Sequence, residues 1–191
     1  MGVLSLFSGL IVWLYSGYLP IGFNDSFLWL LPKSNFVDGD SKAKDTRPLS
    51  GANTDAKIFA MVLAHIFNSS IDVWAIGIQR GFIRGRQMLQ NIIEIEAKAM
   101  STMYTSSNGA LVLFDFSAAF LSVARRFIWL VLESIGLPKF VISAIKALYA
   151  NNHHFLKWSG VTQYAFLCMA GVRQGCPLSS ALFISLSATL F

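Results

Sequence analysis

Charged side chains are scarce in this sequence: they make up 13% of its 191 residues, against 54% hydrophobic ones. A chain of this composition buries apolar surface instead of repelling itself, which excludes long disorder. Only two cysteines are present, Cys168 and Cys176, and their spacing matches neither a disulfide framework nor a common zinc pair. The sequence therefore predicts one folded domain or a piece of a larger one, and its cysteines indicate no function.

The first 23 residues contain no charged side chain, and residues 3–22 are about as long as a membrane-spanning helix requires, roughly 20 residues. Three glycines and one proline interrupt this stretch, and no basic residue precedes it as a secretory signal would require. We therefore favour a helix over about residues 2–15 that neighbouring elements bury, without stable membrane association. A small membrane-anchored protein remains an alternative function.

The rest of the chain predicts a mixed α and β domain without internal repeats. Residues 33–57 are polar and predict a loop-rich connection. Apolar spacing and turn signals predict helices at 56–67, 87–103, 127–135, 140–149 and 178–191, a strand at 110–114 and a hairpin at 153–168. The helix over 56–67 is predicted to bury a face formed by Ile58, Met61, Val62, His65 and Ile66.

Asp115 comes directly after the predicted strand, so its carboxylate would be held at a strand end beside a cleft. A hard cation such as Mg²⁺ could bind there. The alternative is a carboxylate that caps the helix beginning near Ser117. Three basic residues, Lys57, Arg84 and Arg86, could bind phosphates, although isolated basic side chains are usually only solvated. None of these residues decides the function alone.

Five short motifs occur in a fixed order along the chain. Motif 1 is Leu-Pro-Lys at 31–33, motif 2 is Arg-Pro-Leu-Ser at 47–50, and motif 3 is Gln-Arg-Gly-Phe at 79–82 with Gly-Arg at 85–86. Motif 4 is Phe-Asp-Phe-Ser-Ala-Ala-Phe at 114–120, and motif 5 is Gly-Val-Arg-Gln-Gly-Cys-Pro-Leu-Ser at 171–179. Together they resemble the reverse transcriptase domain of non-LTR retrotransposons, and the resemblance runs from about Tyr18 to Phe191.

The resemblance implies an α+β right-hand polymerase fold with fingers and an incomplete palm. Residues 1–109 would form the N-terminal helix and the fingers, and residues 110–191 the first part of the palm. The implied activity is RNA-directed DNA polymerisation with two Mg²⁺ ions. The implied partners are an RNA template, a DNA primer and deoxynucleoside triphosphates.

The same resemblance assigns roles to individual residues. Asp115 matches the first catalytic aspartate, which would bridge both ions, with the Phe116 carbonyl as a further metal ligand. Phe120 matches the bulky residue that excludes a ribose 2′-hydroxyl and so selects deoxynucleotides. Gln174 matches a residue lying against the nucleotide and the template pair, where Gly175 allows close backbone approach.

Basic residues receive binding roles on the same grounds. Lys57 and Arg86 match finger positions that would bind the nucleotide, while Arg47, Arg84 and Arg173 are predicted to contact nucleic acid. The net charge of +5 is consistent with such partners but does not prove them. Outside the motifs, Trp158 near the predicted hairpin turn could stack on a base.

The sequence also departs from the family pattern. Leu121 stands where the family usually has an aspartate, Arg84 where it commonly has proline, and His65 where an arginine is frequent. The family's Ala-Asp-Asp turn supplies the other catalytic carboxylates, and no two aspartates are adjacent anywhere in this sequence. We therefore expect the 191 residues to be a truncated and inactive remnant, with a non-catalytic nucleic-acid-binding module as the alternative.

Overall fold

The computed structural model describes residues 3–33, 42, 45–106 and 108–187. Within these ranges the chain combines helices with one sheet, so the predicted mixed α and β class is confirmed. In chain order the elements are α1 (Val3–Ser16), β1 (Ser26–Pro32), β2 (Thr46–Ala52), α2 (Thr54–Trp74), α3 (Leu89–Thr105), α4 (Ala119–Ser122), α5 (Arg125–Ser134), α6 (Lys139–Tyr149), β3 (His153–Trp158), β4 (Val161–Leu167) and α7 (Ser179–Ser187).

The four strands form one sheet in the order β2-β1-β3-β4. β1 pairs antiparallel with β2 from Ser26↔Ala52 to Pro32↔Thr46, and β3 pairs antiparallel with β4 as the predicted hairpin. β1 and β3 run parallel, in register at Ser26↔His154 and Phe27↔Phe155. The sheet therefore joins the N-terminal strands to a hairpin from much later in the chain.

Strand β2 corrects the prediction of a loop-rich connection over residues 33–57, and strand β1, which ends just before that range, was not predicted. Proline and glycine are depleted in strands, so Pro32, Pro48 and Gly51 lower the strand propensity of these two segments. Proline is tolerated here because β2 is an edge strand, where one row of backbone groups has no ladder to join. Residues 34–41, 43 and 44 of the predicted connection lie outside the described part of the chain.

One hydrophobic core unites α1, α2, α5, α6 and α7. Trp13 of α1 is 1% exposed, stacks on Phe59 of α2 at 4.8 Å and donates from its indole nitrogen to the Ala144 carbonyl of α6 at 3.1 Å. The predicted N-terminal helix is thus confirmed as α1, anchored by a buried residue. Across the described ranges, no helix combines the length and the apolar character needed to cross a membrane.

Helix α2 begins as predicted but continues to Trp74, past the polar residues that were expected to end it. Its buried face was also predicted wrongly: Met61 and Ile66 are exposed, whereas Phe59, Leu63 and Phe67 are buried. The helix carries two apolar stripes, and the core takes the stripe that includes its alanines. Ile71, 2% exposed, extends this contact and keeps the last turns helical.

The predicted strand at 110–114 is wrong, because this segment has no regular secondary structure. Its apolar side chains are exposed, from 62% at Leu111 to 88% at Phe114. A strand requires a neighbour to receive its hydrogen bonds, and none of the described strands pairs with these residues. The last predicted helix is observed as α7, and residues 188–191 lie outside the described part.

Candidate functional site

Phe120 of motif 4 is the point at which three of the five motifs meet. Its ring stacks on Phe183 of α7 with centroids 4.6 Å apart, and the Phe82 ring of motif 3 meets it edge-on at 6.2 Å. Its carbonyl accepts a hydrogen bond of 2.7 Å from the Val172 amide of motif 5. Phe120 is therefore fixed through both its ring and its backbone.

Gly171 allows motif 5 to approach motif 4 this closely. Its amide donates to the Val123 carbonyl at 2.7 Å, and its φ is +72°. A Cβ at this position would lie 2.6 Å from the Leu121 carbonyl oxygen and 2.7 Å from that of Phe120. Both the conformation and the lack of space therefore require glycine here.

Motif 5 also contacts motif 2. The Ser50 amide donates to the Gln174 carbonyl at 2.9 Å, and a Cβ at Gly175 would lie 3.0 Å from both Leu49 Cδ1 and the Ser50 carbonyl oxygen. Gly175 has a φ of +96°, so the backbone conformation and the nearby β2 atoms already favour glycine here, without any bound nucleotide. Motif 1 joins through the β1–β2 ladder, where Leu31 lies opposite Arg47. All five motifs thus form one connected region.

Asp115 is exposed on the irregular segment that precedes α4, and its neighbour Phe116 is 71% exposed. Within the described ranges, no group of three His, Cys, Asp or Glu side chains is arranged to hold a metal ion. Mg²⁺ in polymerase sites is held by one or two carboxylates together with substrate phosphates. The carboxylate of Asp115 suits such a partial site, and its metal role remains a prediction.

Arg86 of motif 3 holds its own turn together. Its Nη1 donates to the carbonyls of Ile76 at 2.7 Å and Gln79 at 2.9 Å, and its Nη2 donates to that of Ala75, the C-cap of α2, at 3.3 Å. A cation at a helix C-terminus is favourable. These contacts give Arg86 a structural task beside its predicted nucleotide role.

The other basic residues differ in accessibility. Arg47 in β2 and Arg84, between the two parts of motif 3, are exposed, and Lys57 in the first turn of α2 is half-buried. These three remain able to meet a phosphate, so their predicted roles stay predictions.

Arg173 corrects the prediction that it contacts nucleic acid. It is 3% exposed, and its guanidinium donates to the carbonyls of Leu148 at 3.2 Å and Asn24 at 3.5 Å. It also lies 5.3 Å from the centroid of the Tyr149 ring. A side chain so enclosed cannot reach a phosphate backbone. The motif arginine instead anchors the loop that carries Gln174 to the end of α6.

Arg125 also anchors the motif 5 loop to the end of α6. The sequence analysis did not predict this role, because Arg125 belongs to no motif. Its Nη1 donates to the Tyr149 carbonyl at 2.6 Å and its Nε to the Gly171 carbonyl at 3.3 Å, and it too lies 5.3 Å from the Tyr149 ring centroid. Burial lowers the pKa of Arg125 and raises that of Tyr149, whose hydroxyl lies 3.1 Å from Ser179 Oγ.

Comparison with known proteins gives a consistent picture. The family described as reverse transcriptase (RNA-dependent DNA polymerase) matches residues 31–191. The chain is 29% identical over 170 residues to the Transposon TX1 uncharacterized 149 kDa protein of Xenopus laevis, covering 87% of this chain and 12% of that protein. It is 26% identical over 182 residues to the Retrovirus-related Pol polyprotein from type-2 retrotransposable element R2DM of Drosophila melanogaster, covering 95% and 17%. The chain therefore spans less than one fifth of either relative.

Proposed function

Because the chain belongs to the reverse transcriptase (RNA-dependent DNA polymerase) family, as a domain of the non-LTR retrotransposon type, we propose that it forms the fingers and first palm segment of such a polymerase. Residues 1–109 would be the N-terminal helix and fingers, and residues 110–191 the palm segment. The convergence of the five motifs on Phe120 and Gln174 carries this proposal. The proposed partners are an RNA template, a DNA primer and deoxynucleoside triphosphates.

In this proposal Asp115 and the Phe116 carbonyl hold Mg²⁺ beside the nucleotide. The metal, when bound, lowers the pKa of the primer hydroxyl and neutralises charge on the phosphates. Lys57 lies at the start of α2, where its ammonium can add positive charge near the triphosphate. Gln174 and Gly175 present a backbone that β2 already holds in place, which limits the ordering that nucleotide binding requires.

Phe120 is the proposed selector of deoxynucleotides. A ring stacked on Phe183 and flanked by Phe82 cannot turn aside without losing both contacts. A ribose 2′-hydroxyl directed at it would therefore meet a fixed wall, whereas a deoxyribose would fit.

We further propose that the 191 residues alone do not polymerise. Two-metal sites hold their ions about 3.5–4 Å apart and use several carboxylates to do so. Asp115 is exposed on an irregular segment, so it offers one ligand without the rigid strand that would aim it.

A primer-extension assay tests this proposal. Purified chain, a poly-A template with an oligo-dT primer, and Mg²⁺ should give no more extension than the Asp115→Ala variant. Extension of equal size in both proteins would identify a contaminating polymerase. Robust extension by the wild type that Asp115→Ala abolishes would show that these residues suffice for catalysis, and the proposal of inactivity would be rejected.

A non-catalytic nucleic-acid-binding role is the second candidate, favoured by the exposure of Arg47 and Arg84. Affinity for a template–primer hybrid should fall steeply as salt rises, because each phosphate contact releases counterions. An affinity independent of salt would reject phosphate binding in both roles.

A further inference from the structure

We infer that one face of the β2-β1-β3-β4 sheet is a stacking surface for single-stranded nucleic acid. Side chains alternate between the two faces of a sheet. The inner face carries Ser26, Ser50 and His154, each at most 8% exposed, against the rest of the protein. The opposite face, here called the outer face, carries Phe27 and Trp29 of β1, which are 41% and 51% exposed.

The register extends this aromatic surface across the sheet. Phe27 lies opposite Phe155 of β3, and Phe155 lies opposite Tyr164 of β4, which is 57% exposed. The Phe155 and Tyr164 rings are 5.8 Å apart, and those of Phe27 and Trp29 are 6.4 Å apart. Several aromatic rings therefore lie beside one another on one solvent-facing surface.

Trp29 is supported from below by a glycine. A Cβ at Gly51, opposite Phe27 in β2, would come within 1.7 Å of Trp29 Cζ3, so the indole occupies the space that any other residue would fill. The ring thus rests against the backbone of β2 while half of its surface stays open. Such an aromatic support suits a nucleobase, because every base has a π face to stack on it.

Charge on the outer face favours the same partner. The four strands contain no Asp or Glu. Arg47, opposite Leu31 in the ladder, and Lys157, two residues beyond Phe155, share this face and are exposed. Aromatic rings between basic side chains match a single strand, whose bases are free to stack while its phosphates meet the cations. A duplex keeps its bases stacked inside and offers no such match.

The outer face is continuous with the glycine-rich loop of motif 5. Leu49, which lies opposite Trp29, has its Cδ1 only 3.0 Å from where a Cβ of Gly175 would be. A single-stranded nucleic acid bound on the outer face would therefore run toward Gln174. The inference rests on the proposed function for the class of partner, but binding on this face requires neither Asp115 nor a metal ion.

Fluorescence anisotropy with labelled 15-nucleotide oligo-uridine and oligo-thymidine, in EDTA, tests the inference. Trp29→Ala should weaken binding of both oligonucleotides on the order of 10-fold, the loss expected for one stacked base. Trp29→Phe keeps an aromatic ring and should retain most of the affinity. Circular dichroism of each variant establishes that it is folded.

Trp158→Ala is the matched control. Trp158 is 76% exposed at the end of β3, but three residues after Phe155 it projects to the opposite side of the strand. On this inference it therefore lies outside the stacking surface and does not take the base-stacking role that the sequence suggested. Its removal should leave affinity unchanged. Equal losses in Trp29→Ala and Trp158→Ala, equal affinity for duplex RNA, or no binding by the wild type would each overturn the inference.

Asp115→Ala separates this inference from the proposed function. In EDTA it should bind the oligonucleotides as the wild type does, because it lies outside the sheet. Loss of binding in Asp115→Ala would show that the strand lies at Asp115 instead, and would also overturn the inference. Salt-independent binding to the template–primer hybrid, with stacking intact, would reject the proposed function alone.

Discussion

Arg173, which is buried, and Arg125, which is half-buried, show how two cations can be held at the end of a helix. The last carbonyls of any helix have no partner within it. At α6 these carbonyls, those of Leu148 and Tyr149, accept hydrogen bonds from the two guanidinium groups. The negative end of the helix dipole and the face of the Tyr149 ring add favourable electrostatics. The arginine of motif 5 therefore stabilises the fold by anchoring the loop that carries Gln174 to the end of α6.

His154 should make the protein less stable in acid. It is 2% exposed, with Nδ1 3.0 Å from Ser26 Oγ, and burial together with the positive charges of Arg173 and Arg125 lowers its pKa below the ordinary 6.5. The unfolded chain therefore takes up a proton near pH 6.5 while the folded protein resists it. The contribution of neutral His154 to the free energy of unfolding should be fully present above pH 6.5. Below that pH it should fall by up to about 1.4 kcal/mol per pH unit, until the pH reaches the pKa of His154 in the folded protein.

Urea unfolding at pH 7.5 and 5.5 measures this effect. His154→Gln removes the titrating group and should lose less stability between the two pH values than the wild type. His153→Gln, which alters a half-exposed neighbour, should keep the wild-type difference. The same pH difference in wild type and His154→Gln would contradict the assignment.

At the scale of elements, the contact between motif 4 and motif 5 depends on one missing methyl group. Gly171→Ala would bring a Cβ within 2.6 Å of the Leu121 carbonyl oxygen, in a backbone with φ of +72°. Gly136 has a similar φ of +80° but nothing within 4 Å of its Cβ position, so Gly136→Ala isolates the conformational cost. That cost is about 1–2 kcal/mol.

Gly171→Ala should lower the free energy of unfolding by about 1–3 kcal/mol more than Gly136→Ala does, because it adds steric overlap to the same backbone strain. Chemical denaturation of both variants measures the difference. Equal losses would mean that motif 4 yields at no cost and does not fix Phe120.

The same elements show which structure a sequence reveals by itself. Helices α5 and α6 and the β3–β4 hairpin were predicted within one or two residues, because Gly136 and Gly160 mark turns between segments of clear periodicity. β1 and β2 were missed since their stability comes from pairing, which overrides the poor propensity of Pro48 and Gly51. The strand prediction at 110–114 was wrong for the opposite reason: this segment has strand propensity, but no described strand pairs with it.

Site prediction divided in a similar way. The five motifs were found because their residue types and order are distinctive, and the structure does bring them together. The supporting contacts were not predictable: Phe183 behind Phe120, and Arg125 beside Tyr149, depend on how distant helices pack. Arg173 was assigned to nucleic acid because charge is visible in a sequence and burial is not.

At the scale of the whole molecule, apolar surface is concentrated beside motif 4. Val112, Leu113 and Phe114 are at least 65% exposed, and none of the residues of α3 is buried. A groove of about 920 Å³ lies between α3 and the chain at 109–111. Exposed patches of this kind mark surfaces that associate, and an unpaired extended segment is especially prone to do so.

The isolated chain should therefore self-associate as its concentration rises, and sedimentation velocity would detect this. Replacing Val112 and Phe114 together by lysine should shift the distribution toward monomer, because charge opposes burial of the segment. Tyr15→Lys, at an 84% exposed position on α1, is the control and should change little. A wild-type chain that stays monomeric at every concentration would contradict this prediction.

The parallel ladder between β1 and β3 has a consequence for how the chain is made. Ser26 and His154, which meet in that ladder, are 128 positions apart. During synthesis the β1–β2 hairpin leaves the ribosome long before β3 does. Until β3 is made, the edge of β1 that will pair with it has no partner. Contacts between such remote positions slow folding. Interrupted synthesis before β3 would thus release a nascent product with an unguarded strand, a natural substrate for chaperones.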